Sequence, residues 1–157
     1  MIREVAAKVW SKSGRLSYID ATDLAHDGFL RMARAQNDRE LSHAAKIAYC
    51  TTVIRHVLVD EVRRRTSQRL LSRPTVILSK LTDGQEPRVD LIDLDLALNE
   101  LAEIDPRQAQ LVELRFFGGY TQEEAGEVAG ISERSVRREW ALARAWLLHR
   151  LKDSIVG

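Results

Sequence analysis

The chain has 157 residues, with 24 Lys and Arg against 23 Asp and Glu, one cysteine and 45% hydrophobic residues. That length allows one ordinary domain or two small ones, and the apolar content excludes a disordered chain, while 30% charged and 6% aromatic residues favour small helical bundles over a large sheet. Cys50 has no partner for an internal disulfide, Met1 to Glu4 opens a charged amphipathic stretch unlike a signal peptide, and the apolar-leaning run from Ile47 to Ile54 falls far short of the roughly 20 residues of a membrane span; a cytoplasmic protein without membrane contact is expected.

Val5, Ala6, Val9 and Trp10 fall at helical spacing over about Ile2 to Trp10, and Gly14 breaks the pattern. Asp20 or Thr22 suits the cap of a second helix, with Leu24, Phe29, Leu30 and Met32 as its apolar face until Gln36-Asn37-Asp38. From Leu41 to about Arg65 the positions Leu41, Ala44, Ile47, Ala48, Thr51, Ile54, Leu58 and Val62 recur every three or four residues, with Arg55, Glu61 and Arg63 off the stripe. This is the longest expected helix of the first half. Cys50 lies beside the stripe and reads as a small core residue.

Ser67 to Asp90 shows no sustained period and holds Pro74, Gly84 and Pro87, so it reads as a flexible linker. Val76-Ile77-Leu78 within it has strand character, but no partner strand is evident. Leu91, Leu94, Leu98 and Leu101 then form a helical stripe that ends at Asp105-Pro106, a cap followed by the residue best suited to a first helical turn. Leu111, Val112, Leu114, Phe116 and Phe117 give the next helix its buried side until Gly118-Gly119.

Thr121-Gln-Glu-Glu124 is a capping box. It opens a short helix ended by Gly130, and after Ile131 the cap Ser132 starts a last helix to about Leu151. Two short helices around a three-residue turn form a helix-turn-helix signature. Steep helix crossing requires a small residue at the close approach (Gly126), a turn residue tolerant of positive φ (Gly130) and a buried β-branched residue on the second helix (Val136). Around the exposed start of that helix lie Glu133, Arg134, Ser135, Arg137 and Arg138, and arginine suits guanine O6 and N7 or phosphates.

The near-neutral total charge conceals blocks. Lys46 to Arg73 is strongly basic, Pro74 to Asp105 acidic, and the chain beyond Ser132 basic again, a pattern that suits two contact surfaces for a polyanion as well as ordinary solvated helix faces.

The run from Asp105 to Gly119, followed by Tyr120 to Ser132 and Ser135 to Leu147, resembles region 4 of sigma-70-type factors, and most closely that of the extracytoplasmic-function (ECF) branch. Ala21-Thr-Asp-Leu-Ala-His-Asp-Gly-Phe-Leu-Arg-Met32 resembles region 2.2, and His56-Val-Leu-Val-Asp-Glu-Val-Arg-Arg-Arg65 the end of region 2.4. The resemblance implies an all-α chain of two small helical domains, region 2 over 1–66 and a helix-turn-helix region 4 over 91–157, joined by a linker over 67–90. It implies that the chain binds core RNA polymerase and directs promoter-specific initiation.

On that resemblance Asp23, His26, Asp27, Phe29, Leu30 and Arg31 contact the clamp helices of the polymerase β′ subunit. The loop from Gln36 to Ser42 and the helix after it engage the −10 element, with Arg55, Arg63, Arg64 and Arg65 on phosphates. Glu133, Arg134, Ser135, Arg137, Arg138 and Arg144 serve the −35 element. The β flap, promoter DNA and an anti-sigma factor complete the implied partners. The family usually has a longer N-terminal helix and often Gln-Glu where His26-Asp27 stands, and Gly126 replaces a common Ala at a helix-propensity cost of up to about 1 kcal/mol.

No catalytic residue, metal or cofactor is expected. His26-Asp27 lacks a second ligand at helical spacing, His43, His56 and His149 are scattered, and there is no Walker-type glycine loop. Two other readings stand beside the sigma factor: a stand-alone helix-turn-helix regulator, and a truncated sigma-like decoy that occupies a partner without initiating transcription.

Overall fold

The computed structural model describes residues 21–34, 42–68, 75–77 and 88–156. Among the described residues six helices carry the fold: α1 (Ala21–Arg34), α2 (His43–Ser67), α3 (Leu91–Ile104), α4 (Pro106–Phe116), α5 (Gln122–Ala129) and α6 (Glu133–Arg150). Among the described residues the fold is all-α apart from three very short strands, β1 (Thr75–Ile77), β2 (Arg88–Asp90) and β3 (Ile155–Val156), and one 3-10 turn (Lys152–Ser154). The helix expected near residues 2–10 and most of the loop expected at 36–42 lie outside the described residues.

α1 and α2 pack together. The face of α1 turned inward carries Ala25 and Gly28, one turn apart and both buried, so small residues bring the two backbones close. Leu30, expected on the buried side, is instead 37% exposed, because the buried stripe passes through 25 and 28. Arg31 reaches across to Asp60 of α2 at 2.8 Å.

Helix α2 begins at Ser42, whose hydroxyl accepts the Ala45 amide, and ends on Arg64 and Arg65, cations that suit the negative end of the helix dipole. Thr51, Thr52, Val53, Ile54, Val57, Val59 and Val62 are β-branched and weak helix formers, so burial must hold this helix. The buried set of Cys50, Thr51, Val53, Ile54, Arg55, Val57, Leu58, Val59 and Val62 runs most of the way round it. The expected single stripe is therefore too narrow, because α1 covers one side and the C-terminal helices cover another.

The junctions in the second half follow local chemistry. Asp90 caps α3 by accepting the Asp93 amide at 3.0 Å. Asp105 ends α3 and also caps α4, accepting the Arg107 and Gln108 amides at 3.1 Å ahead of Pro106. In the capping box of α5, the Thr121 hydroxyl accepts the Glu124 amide and the Glu124 carboxylate accepts the Thr121 amide, both at 3.1 Å. Gly130 ends α5 at φ +70°, and the Ser132 hydroxyl accepts the Ser135 amide to start α6. Along α6 the buried residues are Val136, Trp140, Ala143 and Leu147, one continuous stripe.

One correction concerns residues 67–90. β1 does have a partner: Thr75, Val76 and Ile77 lie opposite Asp90, Val89 and Arg88 in antiparallel register, and β2 pairs in turn with β3. Three-residue strands joined by nonlocal pairing leave no periodic trace in sequence. The segment is thus partly ordered where a structureless linker was expected, although most of it lies outside the described residues. Helices on either side of this segment share a core. Ile54, Leu58 and Val62 of α2, Val89 of β2, Leu94 and Leu98 of α3, Val112 of α4 and Trp140 and Leu147 of α6 belong to one apolar cluster.

Candidate nucleic-acid interface

The geometry of the helix-turn-helix is set by Gly126 and Val136. Gly126 of α5 is buried, and a Cβ added there would lie 2.5 Å from Val136 Cγ2. Val136 is fully buried among Leu111, Leu114 and Ala125, with Ile47 of α2, Tyr120, Val128, Ala129 and Ile131 packed around them. That small core sets the angle at which α6 leaves α5. Behind it, Arg115 of α4 lies 4.1 Å over the Trp140 ring, and burial lowers its pKa. Gln108 donates to Glu139 at 3.1 Å, and Arg150 clasps Glu100 of α3 with two bonds of 2.7 Å.

With its buried stripe committed inward, α6 presents Glu133, Arg134, Arg137 and Arg138 to solvent, with Ser135 half-buried beside its cap. Arg137 pairs with Glu133 one turn earlier, and Arg138 lies 3.8 Å from Glu139. Arg144, two turns further on, is half-buried.

The basic end of α2 forms a second surface. Arg64 and Arg65 converge on Glu61 at 2.6 Å, and these ion pairs lower the Glu61 carboxyl to about 2. Arg63 is exposed, its guanidinium 3.5 Å from Asp95 of α3. On α1, His26, Asp27, Leu30 and Arg31 are exposed on a third surface; the side chains of Asp23 and Phe29 lie outside the described residues.

Arg55 does not join the other arginines. Expected on phosphates, it is 4% exposed and held by acidic and polar groups of the C-terminal unit. Its Nη1 donates to Glu113 of α4 at 2.5 Å, its Nη2 to Asn99 of α3 at 2.7 Å, and its Nε lies 3.0 Å from Asp95 Oδ1. The last contact is close but poorly aligned, leaving both atoms buried without a hydrogen bond. Glu113 also accepts from the Thr52 hydroxyl. Burial pushes its carboxyl above the ordinary carboxylate range, with Arg55 and Thr52 opposing.

Asp95 and Glu113 were missed in the sequence. The signal was present: each is an acid set inside an apolar run, Leu94-Asp95-Leu96 and Val112-Glu113-Leu114, and a buried carboxylate needs a paired cation.

A family model described as ECF sigma factor matches residues 1–153. The chain belongs to the ECF sigma factor family. It shows no significant match to a curated protein. Among solved structures it is similar to the sigma factor RpoE from Bartonella quintana, crystallised with the anti-sigma factor NepR, at 21% identity over 96% of this chain and 89% of that one, with a TM-score of 0.40. All six helices, from Ala21 to Arg150, lie within the span that the family model matches. Among the described residues, no helix is long and apolar enough to cross a membrane.

Proposed function

We propose that this sigma factor binds core RNA polymerase in the cytoplasm and directs it to promoters with distinct −10 and −35 elements. The family match carries the reading, because it runs through both helical units, whereas a stand-alone helix-turn-helix regulator needs only the second. The unit over 1–66 provides the polymerase and −10 contacts, residues 67–90 connect, and the unit over 91–157 provides the −35 contacts.

In this reading the exposed face of α1, with His26, Asp27, Leu30 and Arg31, docks on the β′ clamp helices together with Asp23 and Phe29. Leu30 supplies exposed apolar area and Asp27 a charge for an interface of mixed character. Arg63, Arg64 and Arg65 hold phosphates near the −10 element, exchanging Glu61 for DNA. Glu133, Arg134, Ser135, Arg137 and Arg138 enter the major groove at the −35 element, while Arg144 grips the backbone. The β flap contacts the C-terminal unit, and an anti-sigma factor is a further partner.

Run-off transcription with bacterial core polymerase tests this. Transcripts that appear only when the protein is added support it. Binding to core without transcripts favours a decoy, and DNA binding without any association with core favours a stand-alone regulator.

A further inference from the structure

Arg55 poses a question of geometry that rests on the sigma factor reading. Elements centred 10 and 35 base pairs upstream of a start site are about 25 base pairs apart, or ~85 Å at about 3.4 Å per base pair. A compact chain of 157 residues has a radius of gyration of about 15 Å, hence a breadth of about 40 Å. With α2 packed on α3, α4 and α5, the two DNA-facing units cannot reach both elements together. The chain must open to do so.

The polar contact that opening has to break is the cluster around Arg55. It joins the units directly: Arg55 and Thr52 come from α2, Asp95 and Asn99 from α3, and Glu113 from α4. Arg63, further along α2, adds a longer contact to Asp95, and His56 Nε2 lies 3.3 Å from Arg55 Nη2. We propose that the Arg55–Asp95–Glu113 cluster is a latch that holds the unbound protein closed and keeps Arg55 from DNA until the units separate.

The energetics suit a latch better than a permanent staple. Burying three charges costs desolvation that their mutual attraction repays only when geometry is good, and the misaligned contact between Arg55 Nε and Asp95 Oδ1 shows that it is incomplete here. A guanidinium is also a group for which a phosphate is an equally apt bidentate partner. Opening therefore exchanges one set of anions for another, with Asp95 and Glu113 released to water. Removing the anions without removing Arg55 has the opposite consequence. It strands a buried cation and drives the units apart.

The test uses the full chain with Cys50→Ala and spin labels at His26→Cys on α1 and Leu142→Cys on α6, both exposed positions. Without polymerase or DNA, the parent should give one short interlabel distance. Asp95→Asn with Glu113→Gln should shift it to a longer, broader distribution at unchanged helical content, because the pair of substitutions removes the anions that tie Arg55 to the second unit and strands a buried cation. If the double variant loses helical content, Glu113→Gln alone is read the same way. A parent already at the long distance, or an acid-neutralised variant that keeps the short one, overturns the latch. Since neither polymerase nor promoter is present, this result stands apart from the run-off assay that decides the sigma factor reading.

Discussion

Gly126 and Val136 meet so closely that one methyl group at 126 has no room: its carbon would lie 2.5 Å from Val136 Cγ2. By helix propensity alone Gly126→Ala is a gain of up to about 1 kcal/mol. Val136 cannot step aside cheaply, because a β-branched side chain in a helix is held to one rotamer. The substitution should be net destabilising by about 1 to 3 kcal/mol, as overpacking is. Thermal or urea unfolding checks this, and Val136→Ala added to Gly126→Ala should recover part of the loss through coupling between the sites.

On α6, Arg137 and Arg138 are exposed and Arg144 is half-buried, and the proposed function gives them different roles. Truncating Arg137 or Arg138 to Ala should change which −35 sequences are preferred, at a cost of about 1 to 3 kcal/mol for a lost bidentate guanine contact. Arg144→Ala should weaken binding to all sequences alike and flatten its salt dependence. Selection on a randomised promoter library measures both. An unchanged preference after Arg137→Ala and Arg138→Ala would assign specificity to Glu133, Arg134, Ser135 or DNA shape.

On α1, reversing Asp23 and Asp27 to Arg should abolish co-elution with core polymerase while helical content by circular dichroism stays the same. Asp27 is exposed and sits opposite the Ala25–Gly28 stripe that packs on α2, so its reversal disturbs the surface and not the core. Retained co-elution would move the polymerase contact elsewhere.

Glu61 makes the end of α2 sensitive to acid. Its carboxyl lies near 2 when folded against 4.5 for a free glutamate, so its protons are bound more weakly in the folded state, and its contribution is complete above pH 4.5 and lost as pH falls toward 2. The pairs with Arg64 and Arg65 are partly solvated, which limits that contribution to about 1 kcal/mol or less. Glu61→Gln should lower the thermal midpoint slightly at pH 7, and the difference from the parent should close near pH 2.

The chain announces its helix ends and hides its long-range pairs, for a physical reason. Asp105-Pro106, Thr121 with Glu124, Gly130 and Ser132 act on backbone groups two or three residues away, so each can be read where it stands. The Gly126 and Val136 roles follow because the spacing of a helix-turn-helix is itself local. Arg55 finds its partners at positions 95, 99 and 113, and residues 75–77 pair with 88–90 across a gap that no period spans. Such contacts depend on how whole helices are placed, so Arg55 looked like one more surface arginine of a basic block. Leu30 departs from expectation on a smaller scale: it is exposed, while Ala25 and Gly28 of the same helix are buried.

Asp105 ends one helix and begins the next, leaving no spare residue between α3 and α4. The joint has no slack to absorb an added or deleted residue: a single insertion would rotate α4 by about 100° about its axis at 3.6 residues per turn. That would carry Glu113 away from Arg55 and swing the bed on which α5 and α6 rest. The elbow therefore works as a fixed bracket, and the helix-turn-helix it supports moves as one piece with Leu91–Ile104.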